Sequence, residues 1–329
     1  MAEVRTLTVG AGEDGVRLDR WFRRRWPHLS QGQIAKLARS GQIRVDGARA
    51  KPETRLGAGA QVRVPPLPDA SRPPSARKML SDQDKTFARR MVLYEDDEVL
   101  ALNKPSGLAV QGGTKTSRHV DRLLSVWGEG VERPRLVHRL DRDTSGVLVL
   151  GKGPAAAARL AQAFAERRAE KTYWAIVAGR PRPPNGGIDI PLVKSGAGER
   201  EQMAPAAADD PRAGHAETDY VTLDHAAERA AWVALRPHTG RTHQLRAHCA
   251  AIGTPILGDG KYGGATAHAL GAAAAHKLHL HARALEIPHP DGFTLKVTAP
   301  LPPHMKRMWE FFGFAGDLRD PFAALDTRA

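Results

Sequence analysis

Apolar residues recur with two periods along this chain, and each period marks a different part of it. Near the start, Leu18, Trp21 and Phe22 share one face of an arginine-rich segment opening at Arg17, the spacing of an amphipathic helix. Ile34, Leu37 and Ala38 repeat the stripe, with Ser30 placed to cap a second helix and Lys36 and Arg39 pointing away. Gly41 supplies the left-handed residue that ends it. Residues 43–45 and 61–64 alternate apolar with polar as half-buried strands, with Asp46-Gly47 as the turn after the first. A small αα-ββ unit is therefore expected over residues 1–65.

From Met91 onward short apolar runs dominate. Residues 99–102, 147–150, 173–177, 220–223, 232–235 and 294–297 predict strands, and 136–137 a short one. The alanine-rich stretch 154–170, with Leu160 and Phe164 one turn apart, and residues 305–312 predict helices. Strands joined both directly and through helices predict an α+β domain with a mixed sheet over residues 91–313. Between the units, Pro65, Pro66, Pro68, Pro73 and Pro74 fall in a stretch with few apolar residues, so 66–90 is expected as an extended basic linker. Residues 195–215 and 263–276 look like loop insertions, and 314–329 a C-terminal tail.

Charge narrows the partner. The formal net charge is +13, and between Arg17 and Lys51 ten Lys or Arg face two Asp, so a polyanion is expected. No apolar run is long enough to span a bilayer, and Met-Ala-Glu-Val opens no signal peptide, so no membrane partner is expected. The single Cys249 excludes an intramolecular disulfide and a Cys-based zinc site. Together these favour a reducing compartment, most simply the cytoplasm.

Chemistry concentrates in His138-Arg139-Leu140-Asp141-Arg142-Asp143-Thr144-Ser145-Gly146, a polar turn between apolar runs. A carboxylate between two arginines on a rigidly held turn suits a nucleophile or a base. Taken by itself, Asp141 fits an ion-paired turn as well. A second block, Arg236-Pro237-His238-Thr239-Gly240-Arg241-Thr242-His243-Gln244-Leu245-Arg246-Ala247-His248, reads as a strand end, a glycine turn and a helix start. Its histidines do not predict a metal site: His243 and His248 would lie about 140° apart on a helix, and HExxH is absent. Asn103-Lys104-Pro105-Ser106-Gly107 has no P-loop ending, since Lys115 does not complete GxxxxGK[ST].

The first of these runs resembles the signature of the RluA-type RNA pseudouridine synthases, and the chain as a whole is most like their RluC branch, with the sibling RluD branch also bearing the same N-terminal module. Residues 17–65 resemble an S4 RNA-binding domain, with Arg-Leu-Asp near the start and Ser-Gly-Gln-Ile-Arg-Val-Asp-Gly at the centre. The resemblance implies an α+β catalytic domain with a mixed, mainly antiparallel sheet, preceded by the S4-like unit. It implies that Asp141, not Asp143, is catalytic, that Arg241 pairs with it, and that Tyr173, in Lys171-Thr172-Tyr173, packs on the target base and can act as a base toward C5. Arg139 would fill the space left by a flipped nucleotide, and Leu245 would wall the pocket. Lys104, Lys171, Arg20, Lys36, Arg39 and Arg44 would contact RNA.

The implied reaction breaks N1–C1′, turns the uracil and joins C5 to C1′, so neither cofactor nor metal is expected. Asp141 could attack C1′ or remove a sugar proton; both routes stand. The implied partner is large-subunit ribosomal RNA or its assembly intermediate, or, for a sibling-branch synthase, another ribosomal RNA or a transfer RNA. The sequence leaves the oligomeric state open, with a monomer favoured. Two other readings are a noncatalytic S4-type RNA-binding protein and a carboxylate-dependent glycosidase. The first does not need the Asp141, Tyr173 and Arg241 set, and the second needs a pair of flanking acids.

Overall fold

The computed structural model describes residues 4–67, 79–112, 118–196, 201–207, 209–268, 277–314 and 321–322. Two units divide the chain, Met1–Met79 and Leu80–Ala329.

In the first unit β1 (Arg5–Thr8), α1 (Leu18–Arg25), α2 (Gln31–Arg39), β2 (Arg44–Val45), β3 (Ala48–Arg49) and β4 (Gln61–Val64) follow in order. The strands pair antiparallel as β1-β4-β2-β3. Leu18, Trp21 and Phe22 of α1 and Ile34 of α2 are buried together with Ile43, Leu56 and Val62, so both predicted helical stripes face one core. Ser30 caps α2 through the Gln33 amide, and Gln33 returns a bond to the Ser30 backbone. Asp46 and Gly47 both take positive φ at the hairpin between β2 and β3. The predicted αα-ββ pattern gains an edge strand, β1, whose Arg5, Thr6 and Thr8 are exposed and so leave no apolar trace.

The second unit contains α3 (Asp82–Arg89), β5 (Val92–Glu95), β6 (Val99–Lys104), α4 (Val120–Leu123), β7 (Arg135–Leu136), β8 (Ser145–Gly151), α5 (Gly153–Ala165), β9 (Glu170–Ala178), β10 (Asn185–Asp189), β11 (Leu192–Ser195), β12 (Gln202–Pro205), β13 (Glu217–Ala226), β14 (Ala230–Pro237), α6 (Gln244–Ala251), β15 (Leu280–Pro288), β16 (Thr294–Thr298) and α7 (Pro303–Phe312). One sheet runs β10-β13-β14-β9-β15-β8-β6-β5, with β16 on β15 and β7 on β8. Among the described pairs β8–β15 is parallel and the rest antiparallel, the mixed, mainly antiparallel sheet expected.

Strand β8 is buried along its whole length. Leu148 and Leu150 join Leu100, Leu102 and Leu123 on one face, while Val147 and Val149 join Val99, Ala101 and Leu160 on the other. At the β8–β15 crossing Gly146 has φ +111°, and a Cβ there would lie 2.2 Å from the Ala282 carbonyl, so only glycine lets the strands meet. This crossing fixes the residues just before β8, which carry Asp141.

Four boundaries differ from the sequence reading. The linker ends sooner than residue 90: Leu80 and Phe87 pack on the core that buries Ala88, so α3 belongs to the second unit. Residues 68–78 lie outside the described residues. The helix expected over 154–170 stops at Ala165, because Arg167 turns left-handed and β9 starts at Glu170. The short strand expected at 136–137 is Arg135–Leu136, with Val137 outside it. The insertion 195–215 contains β12, paired with β11 in a two-stranded hairpin, although 197–200 and 208 are outside the described residues. Residues 269–276 of the second insertion and most of the 314–329 tail are outside as well, but Phe314 and Phe322 are buried beside Trp232 and Trp309.

Candidate active site

Asp141 lies on the loop that enters β8, and that loop is held by backbone capture more than by ion pairs. The Ser106 hydroxyl donates to the Asp143 carbonyl (2.8 Å), and the Gly107 amide donates to the Arg142 carbonyl (2.9 Å). Arg142 Nε donates back to the Gly107 carbonyl (3.1 Å). Lys104, fully buried, donates from Nζ to the carbonyls of Pro105 (3.1 Å), Leu108 (2.9 Å) and Arg142 (2.9 Å). Burial pulls this ammonium down to about 7, against the charges of Asp143 and Asp141. The expectation that Lys104 contacts RNA is therefore corrected: its donors are used inside the protein, tying its own turn at Pro105 and Leu108 to the loop bearing Asp141.

The two motif arginines do not embrace Asp141 either. Arg139 reaches Gln111 (Nη1–Oε1 3.3 Å) at the pocket rim, and Arg142 turns to Gly107. His138 anchors the run from behind: its Nε2 accepts the Val149 amide (2.9 Å), its ring stacks on Phe164, and burial lowers it to about 3.

The opposite wall comes from the second block. Strand β14 ends at Pro237, the chain turns through Gly240, and α6 starts at Gln244. Gln244, unremarked in the sequence, organises this turn. Its Oε1 accepts from Thr239 (2.7 Å) and the Arg241 amide (3.0 Å), and its Nε2 donates to the Glu217 carbonyl (2.9 Å). His243 sits left-handed (φ 53°) just before the helix, with Nε2 3.9 Å from Asp141 Oδ1.

Arg241 and Asp141 share the pocket but form no ion pair among the described residues; Arg241 Nε donates instead to the His215 carbonyl (2.9 Å). The expected Arg241–Asp141 pairing is thus not the arrangement of this structure. The buried guanidinium is Arg246. It makes a two-pronged pair with Asp259 (2.8 and 2.7 Å), and Asp141 adds to the negative field around it. Sequence reasoning weighed His243 only as a metal ligand and gave Arg246 and Asp259 no role; Arg246 lies in the first turn of a helix that is buried from Gln244 to Cys249. His248 is spent on Thr218 Oγ1 (3.0 Å) and the Ile190 carbonyl (3.1 Å), and His238 on Asp219 (2.8 Å).

Between the walls is a cavity of about 740 Å³. Asp141, Arg139, Lys171, Tyr173, Arg241 and Leu245 all line it, so five other predicted site positions converge on one aspartate. Tyr173 and Lys171 come from the start of β9, and Leu245 is buried at the base of α6. Burial, reinforced by the charge of Asp141, pushes the Tyr173 phenol above its ordinary range, which weighs against a resting phenolate. Burial, with Arg167 nearby, lowers Lys171. In the first unit Arg20, Lys36, Arg39 and Arg44 are all exposed.

Both walls of this pocket have counterparts in known proteins. The family model described as RNA pseudouridylate synthase matches residues 98–251, which span them. The chain is 35% identical to the ribosomal large subunit pseudouridine synthase C of Yersinia pestis, over 91% of this chain and 92% of that protein. Against the protein of the same name in Escherichia coli K12 it is 34% identical over 92% and 95%. Among solved structures, the human RNA pseudouridylate synthase domain containing 4 superposes with a TM-score of 0.60 at 30% identity, covering 71% of this chain and 98% of that one. The human domain-containing-1 protein does so with 0.55 at 26%, covering 69% and 96%. Fold and likeness define an RNA-modifying isomerase. The chain belongs to the RNA pseudouridylate synthase family.

Proposed function

We propose that this enzyme converts specific uridines of large-subunit (23S) ribosomal RNA to pseudouridine, with Asp141 as the catalytic carboxylate. The observation that carries this reading is the Asp141 side chain, 29% exposed, in a pocket large enough for a nucleoside and fixed by Lys104, Ser106 and Gly107. The names of the relatives support the target.

A base inside a stack cannot reach such a pocket, so the nucleotide must be extruded from its helix. Tyr173 then offers its ring as a stacking surface, worth roughly 1–3 kcal/mol, and Leu245 closes the apolar side. Arg139, exposed at the rim, suits the backbone or the space left by the flipped nucleotide. Asp141 serves either of two routes. In the first it attacks C1′ as N1–C1′ breaks, and the Asp141–C1′ bond breaks in turn as C5 joins C1′. In the second it takes the C2′ proton as N1–C1′ breaks, giving a glycal, and returns that proton as C5 joins C1′. In both, the C5 proton passes to the freed carboxylate or to water and N1 gains one, so the proton count is unchanged. Lys171 and Arg241 line the same cavity and supply positive charge toward the phosphates.

The first unit acts as an S4-like RNA-binding module, with Arg20, Lys36, Arg39 and Arg44 giving mostly sequence-independent attraction. The enzyme works in the cytoplasm, where its RNA is, on free RNA or an assembly intermediate, as a monomer. Mapping pseudouridine in ribosomal and transfer RNA from cells lacking the gene tests the assignment, with wild type or Asp141→Asn returned. Discrete large-subunit sites should vanish and return only with wild type. Loss of transfer-RNA sites alone would overturn the target, and no change at any site would overturn the assignment.

A further inference from the structure

The Met203 backbone N–H donates to Tyr262 Oη (2.9 Å), and Tyr262 Oη lies 2.9 Å from His243 Nδ1. A phenol oxygen that already accepts from an amide still has its own proton to give. His243 Nε2 faces Asp141 Oδ1 at 3.9 Å, and a lone pair there would repel the carboxylate whereas N–H attracts it. A neutral Nε2–H tautomer, with Nδ1 accepting from Tyr262, fits both contacts. His243 also holds a left-handed conformation uncommon for a residue with a side chain, the kind of local strain that collects at functional sites.

We infer that His243 is a positioning residue for Asp141, aimed by a Met203–Tyr262 relay that runs from the β12 hairpin into the active site. The 3.9 Å gap is longer than a hydrogen bond and shortens when substrate fills the pocket. The 195–215 insertion thereby takes part in the site, since it fixes His243 through Met203 and Arg241 through the His215 carbonyl. The inference rests on the reading of Asp141 as catalytic. The charged and titratable groups around His243 are Asp141, Arg246, Lys261, Asp259 and Tyr262; burial lowers the imidazole, and the charge of Asp141 opposes that.

Two measurements test it. In single-turnover assays His243→Phe should slow pseudouridine formation by roughly 10- to 100-fold, with RNA affinity at the wild-type level. His243→Gln, whose amide N–H reaches the place of Nε2–H, should recover most of the rate. Tyr262→Phe should slow the reaction less and add nothing to His243→Phe. A wild-type rate in His243→Phe, a loss carried by RNA affinity, or additive losses would each overturn the role. Nitrogen NMR of histidine-labelled protein reads the relay without turnover. His243 should appear as the Nε2–H tautomer, and Asp141→Asn should lower its pKa because the carboxylate holds it up. The Nδ1–H tautomer would overturn the relay even in an active enzyme, whereas an inactive wild type would overturn the function and leave the tautomer test standing.

Discussion

Lys104 Nζ donates to the carbonyl of Arg142 at 2.9 Å, one residue beyond Asp141. A buried ammonium with three carbonyl acceptors thus lies beneath the loop that bears Asp141.

Lys104→Met should remove that support. It should slow turnover by roughly 100-fold through misplacement of Asp141, and cost about 1–3 kcal/mol by leaving buried carbonyls without their donor. The sign of the pH dependence follows from the shift. The folded amine titrates at about 7 and the unfolded one at 10.5, so between those values the unfolded chain holds more protons. This group therefore adds stability as pH rises, and the gap between wild type and Lys104→Met should widen from neutral to alkaline pH. Denaturant unfolding of both proteins across that range measures it.

Arg246 and Asp259 are both buried, at 9% and 0% side-chain exposure. Arg246→Met would leave an unpaired carboxylate inside the protein and should cost about 3–5 kcal/mol, whereas Arg246→Met with Asp259→Leu should recover part of it. Burial works to raise Asp259, but Arg246 and the Lys261 and Tyr262 amides outweigh it and lower the carboxyl. The pair's contribution is therefore full above the unfolded carboxylate pKa and is lost as pH falls through the folded one. Thermal melts of the three proteins at neutral and acidic pH check both claims.

Gly214 lies under the Arg241 guanidinium, where a Cβ would come within 2.9 Å of Cζ. Since that contact is the end of a flexible side chain, Gly214→Ala should shift Arg241 without unfolding the protein, with a stability change within about 0.5 kcal/mol. Activity should fall, and Gly214→Ala with Arg241→Ala should be no slower than Arg241→Ala alone. Steady-state kinetics of the four enzymes decides it; additive losses would assign the glycine a separate role.

A chain beginning at Leu80 should fold and retain the chemistry, with weaker and less selective RNA binding. A chain beginning at Met91 should be less stable, because it lacks Leu80, Phe87 and Ala88 from the core around Leu100 and Leu148. Circular dichroism and RNA titration of both separate fold from affinity.

Much of the fold was legible because the apolar runs are local. Residues 99–102 and 147–150 each report their own strand, and Ser30 reports its own helix start. Strand β15 was not legible: His281 and Arg283 break its apolar run, and only the fold shows His281 satisfied by Ser145 (2.9 Å) and the Ala299 carbonyl (3.2 Å). The positions of Asp141, Tyr173 and Leu245 came from the family resemblance, and all three line one pocket. The choice between Arg241 and Arg246 was not legible, since the partner that turns Arg246 inward is Asp259, thirteen residues away. Lys104 was misread for a related reason: three backbone carbonyls converging on one amine leave no mark in neighbouring side chains.

If Asp141 performs the isomerisation inside this pocket, removing its charge alone must end the chemistry and spare the binding. Purified wild type and Asp141→Asn, incubated in single turnover with a large-subunit ribosomal RNA fragment, test this directly. Wild type should form pseudouridine, and Asp141→Asn should form none while binding the fragment with wild-type affinity. Turnover by Asp141→Asn near the wild-type rate would contradict a catalytic Asp141.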